Sequence, residues 1–101
     1  MDMISIAVCD DDTKHIAILE KYLFEISDIK IECDAYQNGE SLVNAYKNSI
    51  EKYDVVFLDM EMEKLNGIET ADRIREFDEH VIIVFVTSNS EYMKESFRCQ
   101  P

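Results

Sequence analysis

Carboxylates follow two separate apolar segments of the chain, and their spacing could build a binding site for a cation. One apolar segment near the N-terminus leads into three consecutive aspartates, Asp10, Asp11 and Asp12. A second, residues 54–59, ends in Asp59. Like charges crowded at the end of a buried strand repel each other unless something compensates them. Oxygen ligands without histidine or cysteine suit a hard cation such as Mg²⁺, which accepts a few carboxylates and keeps waters or phosphate oxygens.

Helix capping is the common alternative explanation for acids that follow a strand. It accounts well for Asp12, which directly precedes Thr13, where a helical pattern begins. A carboxylate at that position accepts a hydrogen bond from the backbone and favours the positive end of the helix. Capping explains Asp10 and Asp11 less well. Two predicted strands end in acids, and the fourth predicted strand ends in the hydroxyl of Thr87. Three polar strand ends favour one shared site over separate helix caps.

Two other acidic motifs can be tested against the same residues. The acids at positions 59, 61 and 63 alternate as in an EF-hand loop, but Lys64 stands where that loop needs glycine and Thr70 where it needs glutamate. Asp59 with Glu61 two residues later loosely resembles phosphomonoester hydrolases that form an aspartyl-phosphate. Those enzymes normally carry aspartate at the second position, and the acids at 10–12 would have no role. A phosphohydrolase stays open as the enzyme alternative.

Other catalytic chemistry has little support in the sequence. The two histidines are His15, on the predicted first helix, and His80, in a polar turn before a strand, and we expect both side chains to be solvated. No catalytic triad stands out. With two glycines in the chain, a glycine-rich loop for binding phosphates is excluded.

The elements that must position the acids alternate regularly along the chain. Short apolar segments predict strands at residues 3–9, 29–36, 54–59 and 81–87. Apolar residues three and four apart predict four helices. The first covers residues 13–27, with Ile16, Leu19, Leu23 and Ile26, and the second contains Leu42, Val43, Tyr46 and Ile50. The third follows Asn66 and Gly67 and contains Ile68, Ala71, Ile74 and Phe77, and the fourth covers residues 88–97. This alternation predicts an α/β fold with a mostly parallel, doubly wound sheet. Ligands gather at the carboxyl ends of the strands in such folds, where the acids stand.

Composition and charge limit the classes of function. The 101 residues fit one domain, and 47% hydrophobic with 32% charged residues is typical of a globular protein. The net charge of −12 argues against direct binding to nucleic acid or to an anionic membrane. No apolar segment is long enough to span a bilayer, and no signal peptide is evident. Three cysteines without CxxC spacing indicate buried, reduced thiols, and we expect a cytoplasmic protein.

Three segments in order resemble the receiver domain of bacterial two-component response regulators. They read "IAVCDDD" at the first strand, "VVFLDMEMEKLNGIETADRIR" around the third, and "VIIVFVTSNSEYMKESF" at the fourth. The resemblance covers essentially the whole chain, residues 1–101, and is strongest to receivers joined to a LytTR-type DNA-binding domain. It implies a flavodoxin-like doubly wound sheet with strand order 2-1-3-4, the fifth strand and fifth helix of the family being absent.

The resemblance also implies roles for individual residues. Asp59 would be the phosphoacceptor, taking a phosphoryl group from a sensor histidine kinase, and Thr87 would be the switch hydroxyl. Asp10, Asp11, Asp59 and the backbone carbonyl of Glu61 would hold Mg²⁺. Such a domain is a phosphotransfer partner rather than a metabolic enzyme. It would pass its state to an output domain, DNA-binding and transcription-regulating, that this chain does not include.

Two departures from the family pattern have consequences. Glu63 stands four residues after the phosphoacceptor, where family members often carry proline. The chain stops at Pro101, before the family's lysine that pairs with the phosphoryl group, so a phosphorylation-independent pseudo-receiver is a further alternative. Without a fifth strand, the fourth strand becomes a sheet edge that can pair with another chain, and we expect a dimer through it.

Overall fold

The alternation of strands and helices is confirmed by the computed structural model, which describes residues 3–26, 30–48, 53–62 and 64–86. The elements are β1 Met3–Cys9, α1 Thr13–Ile26, β2 Lys30–Tyr36, α2 Gly39–Lys47, β3 Val55–Asp59, α3 Gly67–Phe77 and β4 Ile82–Val86. Thr87 and the predicted helix over 88–97 lie outside the described residues. None of the helices in this part of the chain has the length and apolar character needed to cross a membrane.

The four strands form one parallel sheet, and their order explains where the acids lie. The order is β2-β1-β3-β4, as the resemblance to receiver domains implied. Each neighbouring pair is parallel, and Cys9 at the end of β1 lies opposite Leu58 near the end of β3. The residues that follow β1 and those that end β3 are therefore neighbours at the centre of the carboxyl edge.

Apolar side chains cover both faces of the sheet, because successive residues of a strand point to opposite sides. On one face, Ile6 and Val8 of β1 pack against Ile16 of α1. On the other face, α2 and α3 cover the sheet. The buried residues there include Ala7, Cys9, Leu42, Val43, Tyr46, Val56, Leu58, Ala71 and Ile74. The two-sided burial of β1 and β3 fixes the positions of the acids that follow and end them.

Three positions that the helical pattern assigned to buried faces are exposed. Ile26, the last residue of α1, is 76% exposed, and on α3 Ile68 is 47% and Phe77 43% exposed. The buried face of α3 includes Thr70 instead, whose hydroxyl donates to the Asn66 carbonyl at 2.8 Å. A polar residue can occupy a buried helix position when its hydrogen bond is made within the helix.

Strands β3 and β4 begin one residue later than predicted, and Ile29, the predicted start of β2, lies outside the described residues. At Val81, the N–H donates to the Asp78 carboxylate at 3.2 Å and the carbonyl accepts from the Arg75 guanidinium at 2.6 Å. Both backbone groups are thus engaged with side chains of the preceding turn, and β4 starts at the next residue. At the start of β3, the Asp54 side chain accepts a hydrogen bond from the Ser5 N–H at 2.8 Å.

Strand β4 is an edge of the sheet among the described residues, as the sequence predicted. Ile82 is 60% exposed, Phe85 38% and Val84 36%. An uncovered edge strand without charged residues or proline is a template for pairing with a further strand. A dimer through β4 stays a prediction.

We expect truncation of the core at Leu42 to destabilise the fold far more than truncation on the surface. Leu42 is fully buried between α2 and the sheet, so Leu42→Ala should lower the free energy of unfolding by about 2–5 kcal/mol. The matched control is Ile18→Ala on α1, where the side chain is 54% exposed and the loss should stay below about 1 kcal/mol. Urea unfolding followed by circular dichroism measures both, and equal losses would show that the α2 face is not the core.

Candidate functional site

Three carboxylates from two strand ends meet at the centre of the carboxyl edge. Asp10 and Asp11 directly follow β1, and Asp59 is the last residue of β3. Each offers a carboxylate oxygen, and these oxygens lie within 4.8 Å of one another. The structure therefore brings together the three aspartates that the sequence placed at strand ends.

Backbone N–H groups fix two of these carboxylates in nearly dry surroundings. Asp10 is 5% and Asp59 2% exposed, whereas Asp11 lies at the surface. The Asp12 N–H donates to Oδ1 of Asp10 at 2.9 Å, and the Glu61 N–H donates to Oδ1 of Asp59 at 3.2 Å. Each buried carboxylate thus has one oxygen held by the turn that follows it.

The charge of the cluster is poorly compensated by the described part of the chain. Burial raises the pKa of Asp59 to about 6, and the neighbouring charges of Asp10 and Asp11 add to the rise, although the hydrogen bond from Glu61 opposes it. Among the described residues, the basic side chain within 4 Å of Asp10 is His15, and no lysine or arginine nitrogen comes as near to the three carboxylates. At neutral pH the site therefore carries negative charge that favours a cation.

Asp12 has the capping role that the sequence predicted. Its Oδ1 accepts a hydrogen bond from the Lys14 N–H at 2.9 Å, and its carbonyl accepts from the N–H groups of His15 and Ile16. The three consecutive aspartates are therefore divided between a helix start and the acid cluster.

The start of α3 braces the end of β3. Asn66 and Glu69 form a capping box, in which each side chain accepts a hydrogen bond from the other residue's N–H. Gly67 lies against the backbone of Asp59 and Met60, where a Cβ atom would overlap the Asp59 carbonyl. The Gly67 N–H also donates to the Met60 carbonyl at 3.2 Å. Glycine is required here by close approach, which holds the loop after Asp59 in place.

His15 is only partly solvated, whereas the sequence predicted a solvated side chain. Its ring is 38% exposed, and its two nitrogens lie near Asp10 and Asp12. The helical pattern could not show this contact, because it depends on how the turn after β1 folds back toward the first turn of α1. His80 lies exposed in the connection between α3 and β4, away from the acids, as expected.

The sequence predicted buried thiols, and among the described cysteines Cys9 is buried whereas Cys33 is only partly so. Cys9 is buried with its Sγ 3.8 Å from Sδ of Met62, and Cys33 is half-buried. Burial, reinforced by the charge of Asp10, raises the pKa of Cys9 to about 12, so its thiol stays protonated. Cys99 lies outside the described residues.

Glu61 lies exposed just after Asp59, and its N–H is the group that contacts the Asp59 carboxylate. The role of its carbonyl as a metal ligand stays a prediction, as do the roles of the three aspartates. Thr87 and Glu63 lie outside the described residues. Val86, the residue before Thr87, pairs with Asp59 in the sheet.

An open groove beside the acids was not foreseen from the sequence. It has a volume of about 420 Å³ and lies between the start of α2 and the loop that precedes α3. Its lining includes Asp11, Asn38, Ser41, Asn44, Met62 and Lys64. Lys64 adopts a left-handed backbone conformation with φ of 57°, which is uncommon for a residue with a side chain. Residues from three connections form the groove, so no local pattern marks it.

Comparison with known proteins gives one consistent family. A family model described as the response regulator receiver domain matches residues 6–99. The sensory transduction protein LytT of Oceanobacillus iheyensis is 38% identical over 81 residues, which cover 78% of this chain and 32% of the relative. A protein-glutamate methylesterase/protein-glutamine glutaminase of Clostridium acetobutylicum is 32% identical over 100 residues, which cover 98% of this chain and 28% of the relative. The chain thus spans less than a third of either protein.

Solved structures agree with the sequence relatives. The response regulator TrrA from Thermotoga maritima, in complex with Mg²⁺-BeF, superposes with a TM-score of 0.75 at 31% identity. The superposition covers 92% of this chain and 76% of the TrrA chain. The receiver of Thermotoga maritima CheB gives a TM-score of 0.71 at 25% identity and covers 96% of this chain and 72% of that one.

Removal of the Asp59 charge should stabilise the fold above the pKa of this group. Native Asp59 keeps its proton up to a pKa of about 6, whereas an unfolded aspartate releases it near its ordinary value, so stability falls as the pH rises between the two. We expect Asp59→Asn to raise the free energy of unfolding by about 1–3 kcal/mol near pH 7.5, since one pKa unit corresponds to about 1.4 kcal/mol. Near pH 4 the gain should almost vanish.

Urea unfolding in EDTA at both pH values measures this difference. Asp72→Asn on the exposed face of α3 is the matched control, and its effect should be small at either pH. A gain for Asp59→Asn that is the same at both pH values would contradict the electrostatic explanation.

Proposed function

Because the chain belongs to the response regulator receiver domain family, we propose that it is a phosphorylation switch whose Asp59 accepts a phosphoryl group from a sensor histidine kinase. The observation that carries this proposal is the convergence of three carboxylates within 4.8 Å at the centre of the carboxyl edge. Asp59 is the member that ends a buried central strand, and its backbone is fixed on both sides by hydrogen bonds and packing.

In the proposed reaction, a carboxylate oxygen of Asp59 attacks the phosphorus of the donor. An O–P bond forms to Asp59, and the bond from phosphorus to the leaving group breaks. The leaving group is the imidazole of the kinase when the donor is a phosphohistidine, and acetate when the donor is acetyl phosphate. The Glu61 N–H holds Oδ1 of Asp59, which leaves Oδ2 for the attack.

The donor set of the site fits Mg²⁺. The three side chains supply oxygen atoms only, and the described residues add no lysine or arginine to offset their charge. Asp10, Asp11, Asp59 and the backbone carbonyl of Glu61 would hold the ion. Bound Mg²⁺ would offset the negative charge on the oxygens of the transferring phosphoryl group. The similarity to TrrA in complex with Mg²⁺-BeF supports this assignment.

Thr87 is proposed as the hydroxyl that responds to the new phosphoryl group. Two features of β4 support the choice: Val86 pairs with Asp59, and its carbonyl accepts a hydrogen bond from the Met60 N–H at 2.9 Å. Thr87 therefore directly follows, in the sequence, the residue that pairs with Asp59. A hydrogen bond from Thr87 to the phosphoryl group would shift this end of β4 and change the surface that an output domain reads.

The output is proposed to be a DNA-binding domain that regulates transcription. The similarity to LytT, a sensory transduction protein more than three times as long as the matched region, supports a larger parent protein. The net charge of −12 makes this domain itself a poor ligand for DNA, so the output domain would make that contact.

Incubation with acetyl phosphate and Mg²⁺ should add the mass of one phosphoryl group to the chain, as measured by intact mass spectrometry. Asp59→Asn should abolish the adduct, because the nucleophilic oxygen is lost, and EDTA should abolish it in the unchanged protein. Asp72→Asn, an exposed acid on α3, should keep the adduct. An adduct that survives Asp59→Asn would contradict the assignment, and steady release of phosphate over many turnovers would favour a phosphohydrolase.

A further inference from the structure

The imidazole of His15 lies between two of the aspartates that follow β1. Its Nδ1 is 3.4 Å from Oδ2 of Asp10, and its Nε2 is 3.6 Å from Oδ2 of Asp12. Nδ1 is fully shielded from solvent and forms no hydrogen bond with any of the described residues, although the ring as a whole is 38% exposed. A buried nitrogen without a partner thus stands next to a carboxylate of the acid cluster.

Buried polar atoms almost always have a hydrogen-bond partner, either in the protein or in an ordered water. Oδ2 of Asp10 is the polar atom that faces Nδ1, although the contact lacks hydrogen-bond geometry. A bridging water does not fit here, because Nδ1 is fully shielded from solvent and the two atoms are 3.4 Å apart. Nδ1 is therefore held against Oδ2 itself, which is available because Oδ1 is already bonded to the Asp12 N–H.

We propose that His15 is a positioning residue for the cation of the acid site, with Nδ1 held against Oδ2 of Asp10 so that this carboxylate keeps the orientation in which it binds the ion. This inference rests on the proposed function, since it requires Mg²⁺ at the acid cluster. A carboxylate that is already oriented needs no further ordering when Mg²⁺ binds, so a group that fixes it adds to the affinity. Groups beyond the direct ligands often change metal affinity tenfold or more.

The other side of the ring explains how His15 is kept in position. Asp12 faces Nε2 with Oδ2, while its Oδ1 caps α1 through the Lys14 N–H. The same carboxylate therefore fixes the start of the helix that carries His15 and limits rotation of its ring. In this arrangement all three consecutive aspartates contribute to the cation site, Asp12 doing so through His15.

Titration of the full chain with MgCl₂ at one fixed pH, followed by isothermal calorimetry, tests the proposal. His15→Ala should weaken Mg²⁺ binding about tenfold. His15→Asn should restore most of the affinity, because a polar atom of asparagine occupies the place of Nδ1. His15→Gln places its amide nearer the position of Nε2 and should not restore it. His80→Ala is the matched control, because this second histidine is exposed and remote from the acids, and it should bind as the unchanged protein does.

Circular dichroism in EDTA checks that each variant is folded before its affinity is compared. Unchanged or tighter Mg²⁺ binding in folded His15→Ala would overturn the inference and leave the proposed function intact. Rescue by His15→Gln but not by His15→Asn would also overturn it, because the wrong nitrogen would then be responsible. Absence of Mg²⁺ binding by the unchanged protein would overturn the proposed cation site itself, and the inference with it.

Discussion

Electrostatic repulsion among Asp10, Asp11 and Asp59 is the constraint on which the site depends. Two of these carboxylates are almost completely buried, and burial together with mutual repulsion raises the pKa of Asp59 to about 6. The sheet keeps them together because β1 and β3 are neighbours with apolar side chains on both faces. Burial of apolar side chains in the core thus stabilises an arrangement of carboxylates that their mutual repulsion opposes.

The residues around the acids each limit how the cluster can relax. Gly67 packs closely against the backbone of Asp59, so the loop after β3 would leave a gap if it moved away from α3. The capping box of Asn66 and Glu69 fixes the helix that Gly67 begins. On the other side, Asp12 ties the turn after β1 to α1. Because these loops are already ordered, a ligand that binds there does not lose affinity to the entropic cost of ordering them.

The sequence predicted the parallel sheet and the convergence of the acids because both depend on strong local patterns, whereas the strand order came from the resemblance to receiver domains. Continuous apolar strands, their alternation with helices and the Asp12 cap all follow from residue type and spacing. Exposure of Ile26, Ile68 and Phe77 could not be predicted, because apolar spacing does not show where a helix extends past its partner. The contact of His15 and the groove beside Asp11 depend on how separate turns meet in space. The periodicity of apolar residues within one segment does not predict contacts between separate turns.

Thermal unfolding at increasing Mg²⁺ concentration tests most directly whether a cation relieves the repulsion of the acid cluster. An ion that binds the folded chain stabilises it in proportion to the logarithm of its concentration above the dissociation constant. The unfolding midpoint should therefore rise with Mg²⁺ in the unchanged protein, and much less in Asp11→Asn, which removes an exposed carboxylate of the proposed site without disturbing the core. A midpoint that does not respond to Mg²⁺, or that rises equally in both proteins, would contradict a cation site at these aspartates.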